Sequence, residues 1–159
     1  MKTSAPLLFS ILMLMAPLVS ADPKSLSEEQ VQGYLAGKGM GFAKVAELNG
    51  YPGPAHVLEL ADSLQLTGTQ REATKKLFNT MHSNAVVLGK EFVKLEQELD
   101  DLFASRQVTE ATLTALLKKI GECRAQLRQV HIEAHMAQRA LLTEDQVARY
   151  KQLRTHHHH

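Results

Sequence analysis

From Leu113 to Leu141 an apolar or small residue recurs in alternating steps of three and four: Leu113, Leu116, Ile120, Cys123, Leu127, Val130, Ala134, Ala137 and Leu141. A helix turns once per 3.6 residues, so this spacing lays them all on one stripe, whereas a half-buried strand needs alternation at every second position. The last of the five Pro residues is Pro54, so nothing downstream forces a break. The preceding stretch has a similar pattern in Leu77, Met81, Leu88, Phe92, Leu95, Leu99 and Leu102. It predicts an amphipathic helix over 68–104, about 55 Å long at 1.5 Å per residue. Ser105-Arg106-Gln107 turns the chain and Thr109 can cap the next helix. Two long amphipathic helices joined by a short turn make an antiparallel hairpin.

Start signals place the remaining elements. Ser27-Glu28-Glu29-Gln30 has capping-box spacing and predicts a short helix to about Ala36, broken by Gly37-Lys38-Gly39-Met40-Gly41. No strand precedes these glycines, so they read as a flexible turn and not as a nucleotide loop. Phe42 to Leu48 can form two helical turns, and Pro54 can open a helix running to about Gln65. Thr67-Gly68-Thr69-Gln70 and Thr143-Glu144-Asp145-Gln146 are further capping boxes, the second with Leu142 placed to staple onto Val147 ahead of a final helix to about Leu153. The expected fold is all-α: a long antiparallel helical hairpin with short flanking helices. So slender a hairpin completes its core best by pairing, which makes a homodimer the expected state.

The chain begins with Lys2, an apolar run from Pro6 to Val19, and small residues in Val19-Ser20-Ala21. These are the parts of a secretory signal peptide, with cleavage after Ala21 and a periplasmic destination; a retained single-pass anchor is the alternative. The expected organisation is a signal peptide over 1–21, short helices and a linker over 22–53, the hairpin domain over 54–153 and a His-rich tail over 154–159. Of the 18 Lys and Arg residues only Lys2 lies in the leader, so the mature chain carries basic and acidic residues in equal number, 17 of each. A nucleic-acid surface needs clustered positive excess and is not expected, nor is stable membrane insertion once the leader is removed. The single Cys123 cannot form an internal disulfide and reads as a buried apolar residue, an intermolecular bridge being the alternative. His156 to His159 are either a native metal-attracting tail or an expression tag, and the first reading is preferred.

Leu66-Thr67-Gly68-Thr69-Gln70 and Leu142-Thr143-Glu144-Asp145-Gln146 are both L-T-x-x-Q, one before the hairpin and one after it. In this, and in His56-Val57-Leu58-Glu59-Leu60-Ala61-Asp62 ahead of the first motif, the chain resembles the Spy/CpxP family of periplasmic stress proteins, which includes zinc-resistance-associated and heavy-metal-sensing members. The resemblance spans roughly 52–153. It implies a four-helix hairpin fold, a cradle-shaped homodimer, and either ATP-independent chaperone or adaptor activity towards unfolded or envelope proteins and sensor proteins, or metal-linked protection. Leu66, Thr67, Gln70, Leu142, Thr143 and Gln146 carry structure in this reading, not catalysis. Chaperone-type members have a basic concave face. This chain departs from them in being neutral overall, with Lys118, Lys119, Arg124 and Arg128 spread along the second long helix.

His131 and His135, one helical turn apart, could clamp a zinc, copper or nickel ion, with His56 and Glu59 as further ligands. No cofactor is otherwise required. The competing reading makes the two histidines part of a solvated polar stripe with Arg124 and Arg128. Glu133 faces elsewhere, so the H-E-x-x-H hydrolase arrangement is absent. Met40, Met81 and Met136 are isolated and read as core filling. No nucleophile elbow, phosphate loop or paired-carboxylate motif is present, and an enzyme is not expected.

Overall fold

The computed structural model describes residues 22–155. The expected leader over 1–21 and the His156–His159 tail lie outside them. The elements are α1 (Glu28–Leu35), α2 (Lys44–Leu48), α3 (Pro54–Glu59), α4 (Gly68–Ala104), α5 (Glu110–Leu141) and α6 (Glu144–Thr155), with no strand among the described residues. α4 and α5 form the antiparallel hairpin. α1 and α3 pack on α4, and α2 packs on α5. Capping boxes at Ser27, Thr67 and Thr109 start α1, α4 and α5, each with its side chain and backbone exchanging hydrogen bonds with the residue three positions on. Each box satisfies two backbone donors that a helix start would otherwise leave bare.

The helix ends have their own chemistry. α1 closes with Gly37 left-handed at φ +62, where Lys38 N–H bonds to the Gly33 carbonyl and Gly37 N–H to that of Tyr34. This double closure satisfies the last carbonyls. The same closure ends α4 at Arg106 (φ +57) and the turns after α3 at Gln65 (φ +53), without glycine in either place. α3 itself stops at Glu59, earlier than the expected Gln65, and 60–65 continue as turns. The turns carry Leu64 and Leu66 inward, where both are buried.

Two apolar clusters lie along the molecule. One joins Tyr34 of α1 to Phe92, Leu95, Leu116, Ile120, Cys123 and Leu127. The other, at the opposite end of the hairpin, gathers Val57, Ala61, Leu64, Leu66, Leu142, Val147 and Tyr150. α1 approaches α4 so closely that a side-chain carbon on Gly89 would collide with the Tyr34 carbonyl. Cys123 is buried, and its thiol donates to the Leu88 carbonyl at 3.4 Å.

The α5 stripe departs from the expected one in its second half. Leu116, Ile120, Cys123 and Leu127 are buried as expected, but the buried face then runs through His131, Ala134 and Gln138, leaving Val130 half-buried and Ala137 exposed. The cause is geometric: a straight helix drifts about 20° per heptad against a strict seven-residue repeat. Over two heptads this comes to about 40°, enough to bring His131 and Gln138 inward in place of Val130 and Ala137. Between the two apolar clusters the hairpin therefore has a polar waist, where Gln138 Nε2 donates to Thr74 Oγ1 at 3.2 Å and both side chains are fully buried.

Candidate functional site

The two L-T-x-x-Q segments meet. Thr67 Oγ1 accepts from Gln70 N (3.1 Å) and Thr143 Oγ1 from Gln146 N (3.2 Å), while each glutamine oxygen returns to the backbone N–H of its threonine at 3.0 Å. The glutamines also bond each other: Gln70 Nε2 to Gln146 Oε1 at 2.9 Å, and Gln146 Nε2 to Gln70 Oε1 at 3.1 Å. Their remaining N–H groups reach the Leu141 carbonyl (2.8 Å) and the Leu64 carbonyl (3.3 Å). A side-chain amide has two donors and two acceptor lone pairs, and both amides use all of theirs here. Leu66 and Leu142, which begin the motifs, are buried together in the cluster beneath. The motif is thus a clasp tying the start of α4 to the start of α6. The capping half of it is visible in the spacing; the amide pair is not, because it depends on residues 76 positions apart.

The waist holds the histidines. His56, His82, His131 and His135 line one cavity of about 400 Å³ between α4, α5 and the loops around α3, with Phe78 and Met81 as apolar wall. His131 is 4% exposed and stacks on Phe42 with ring centroids 6.0 Å apart. Its Nε2 is buried without a hydrogen-bond partner. It is therefore no part of a solvated stripe; the drift of α5 has carried it into the seam. Burial, with the nearby His135 adding to it, pushes its pKa below the ordinary value.

His135 Nδ1 lies 2.7 Å from the Tyr51 carbonyl, which can only accept, so Nδ1 carries the proton and the lone pair of the neutral ring sits on Nε2. The Glu47 carboxylate stands 3.6 Å from the same nitrogen. His56 is arranged likewise, with Nδ1 2.9 Å from Glu59 Oε2. Sequence reasoning made Glu59 a ligand; in the structure it orients His56 from an exposed position outside the cavity. His82 Nε2 donates to the Ala36 carbonyl at 3.0 Å and the ring stacks on Phe78. Among the described residues no three His, Cys, Asp or Glu side chains are placed to hold one ion together. The expected quartet is thus only partly gathered, with His56, His131 and His135 around one space and Glu59 behind.

Glu47 was not singled out from sequence, yet it binds three elements together. Its carboxylate accepts from the Tyr150 hydroxyl and from Gly53 N–H (3.1 Å), and Arg154 lies 3.9 Å away. Burial, and then Glu47, raise the Tyr150 pKa well beyond the usual tyrosine range. No local pattern marks such a residue, whose hydrogen-bond partner Tyr150 lies 103 positions along the chain. The Cys123 thiol is pushed up by burial and then by Glu91, which disfavours the thiolate a nucleophile needs. Met81 is half-buried as core filling requires, but Met40 is exposed in the loop after α1, and Met136, two residues past buried Ala134, is exposed on the outer side of α5.

A family model described as LTXXQ motif family protein matches residues 55–154. The chain belongs to this family. These are the Spy/CpxP-like proteins, and the match runs from α3 through the hairpin to α6, so both halves of the glutamine clasp fall within it. Members of the LTXXQ family are typically secreted to the periplasm. No helix among the described residues is long and apolar enough to cross a membrane. No curated protein and no solved structure matches the chain.

Proposed function

We propose that this LTXXQ family member is a periplasmic stress-response protein that holds partly unfolded polypeptide without ATP, as a binding protein and not a catalyst. The observation that supports this is the state of the hairpin's outer surface. Beyond the reach of the α1 segment, whose Lys24 pairs with Asp100 at 3.4 Å, the hairpin narrows to its two long helices. Phe103 (55% exposed) presents large apolar surface there, as do Leu117 (48%) on α5 and Val87 (67%) further back on α4. An open groove of about 440 Å³ runs between α4 and α5, with Leu102 and Leu116 among mixed charges from Glu98, Asp101 and Lys119. Apolar side chains in a charged frame can receive exposed segments of many sequences, as adaptable binding requires.

The test is light scattering by a chemically unfolded client diluted into the purified protein. Suppression of aggregation is expected, and Phe103→Ser with Leu117→Ser should weaken it at least severalfold while leaving the helical signal unchanged. Undiminished suppression by that variant removes the hairpin surface from the function.

A second reading, binding of a zinc, copper or nickel ion, is favoured by one observation: His56 and His135 each commit Nδ1 to an oxygen acceptor and keep Nε2 as the lone-pair nitrogen. This is the outer-sphere arrangement common to metal-binding imidazoles. His131, His135 and His56 are the proposed ligands. As they stand, the three rings do not close round one ion, so binding would require them to rearrange. Titration of a chain ending at Thr155, which removes the tail histidines, tests this. Binding should weaken about tenfold or more in His135→Ala and in His131→Ala. Absence of any ion bound tighter than about 100 µM rejects the reading.

A further inference from the structure

Next to the histidine cavity, whose His131 stacks on Phe42, a groove of about 500 Å³ opens between the α1–α2 segment and the outer side of α5. Phe42 and Val45 form apolar wall, and Gly121 and Ala125, one turn apart on α5, leave a shallow strip without large side chains. Three cations stand around it, Lys44, Arg124 and Arg128, and none of the lining residues is acidic.

These cations differ from their neighbours. Three lysines elsewhere on the hairpin have acidic partners one turn away: Lys75 with Glu72, Lys94 with Glu98 and Lys118 with Glu122, at 3.1, 3.6 and 3.9 Å. Arg124 and Arg128 are instead one turn from each other, a like-charge spacing that disfavours the helix. Among the described residues none of the three has an ion-pair partner in the structure. The rim opposite α5 carries two consecutive left-handed residues, Met40 at φ +45 and Gly41 at φ +76. For a non-glycine residue such as Met40 that conformation is strained. Unpaired like charges and a strained rim thus border the same concavity. Two guanidinium groups can each grip a carboxylate or phosphate through paired N–H donors, and Lys44 adds a third charge from across the groove.

We infer that this groove binds a small amphipathic anion, with a carboxylate or phosphate head held by Arg124, Arg128 and Lys44 and an apolar body lying against Phe42 and Val45 over the Gly121–Ala125 strip. The volume falls within the range usual for small-molecule sites. The anionic head gives the site its selectivity, since an uncharged amphiphile leaves the three cations unanswered.

Calorimetric titration below the micellar range tests this with four probes: dodecanoate, dodecyl phosphate, dodecyl maltoside and inorganic phosphate. At least one of the two anionic amphiphiles is expected to bind at one site per chain, the tighter of them identifying the head group, with dodecyl maltoside and inorganic phosphate at least tenfold weaker. Arg124→Gln with Arg128→Gln should reduce that binding at least tenfold, Arg124→Lys should retain part of it, and Lys118→Gln should leave it unchanged. All these side chains are exposed, so melting temperatures should stay close to that of the parent protein and loss of binding will not reflect unfolding. The proposal is overturned if dodecyl maltoside binds as tightly as the anions, if inorganic phosphate alone accounts for the binding, if neither anion binds, or if the double substitution changes nothing.

Discussion

The glutamine clasp and the histidine waist are both polar regions set against α4 and α5, and they treat their polar atoms in opposite ways. In the clasp, Gln70 and Gln146 use every donor and acceptor they have, on each other and on backbone groups that need partners. In the waist, His131 Nε2 and Gln138 Oε1 are buried without a partner, and the neutral rings of His56 and His135 keep a lone pair on Nε2. A fully satisfied network fixes geometry, whereas a partly satisfied one costs stability wherever it is buried. The family's name-giving motif therefore explains how the molecule is held together. The waist is the region with binding capacity to spare.

Both regions hang from the α5 seam, so the largest effect should come from breaking it. Leu127→Asp places an uncompensated charge among Phe92, Leu95 and Cys123 and should cost about 4 kcal/mol or more. Unaltered circular dichroism and melting temperature in that variant would mean that the seam is not the core.

The clasp comes next. Gln70→Ala removes one cap and strands both the Gln146 amide and the Leu141 carbonyl, an expected loss of about 2–3 kcal/mol in urea unfolding. If the two glutamines act as one unit, the double variant with Gln146→Ala will be clearly less destabilised than the sum of the singles. Strict additivity contradicts the amide pair. Thr67→Ala and Thr143→Ala remove only capping bonds and should each cost about 1 kcal/mol. Client and metal binding should survive in the folded variants, and loss of either from a fully folded Thr143→Ala protein would give the motif a recognition role.

The contrast also marks what a sequence can carry. The hairpin is legible because its signals are local and repeated: capping boxes at Ser27, Thr67 and Thr143, a cap at Thr109, and a three-four stripe in which Leu116, Ile120, Cys123 and Leu127 are buried as the spacing requires. The second half of the stripe is not, because a small angular drift accumulates along a straight helix until His131 and Gln138 replace Val130 and Ala137 at the interface. The early end of α3 is not legible because no Gly or Pro marks it: the helix tightens into turns at Ala61, whose N–H bonds to the Leu58 carbonyl three residues back. For the histidines, i, i+4 spacing correctly placed His131 and His135 on neighbouring positions. Whether they faced solvent or core depended on that same drift, and the role of Glu59 depended on which side of His56 it stands.

The smallest expected effect sharpens the comparison most, since it asks whether the waist's unpaired nitrogen has a measurable cost. Burial, reinforced by His135, depresses the His131 pKa, so the folded protein resists a proton that the unfolded chain accepts. Above the ordinary His range near 6.5 both states are neutral and the group contributes no pH dependence. As pH falls below that value the unfolded state binds more protons, so stability declines until the lowered folded pKa is reached. His131→Leu removes both the titration and the orphaned nitrogen while keeping an apolar side chain in the seam. At pH 7.5 the variant should lie within about 1 kcal/mol of the parent, because deleting an unpaired buried polar atom relieves desolvation. Between pH 7.5 and 5.5 the parent should lose stability faster than the variant. Urea unfolding at the two pH values measures both quantities, and subtracting the variant removes the contributions of His56, His82 and His135, which share the cavity. Equal acid losses in the two proteins would mean that His131 is not held neutral by its burial, and the waist would lose the feature that most separates it from the clasp.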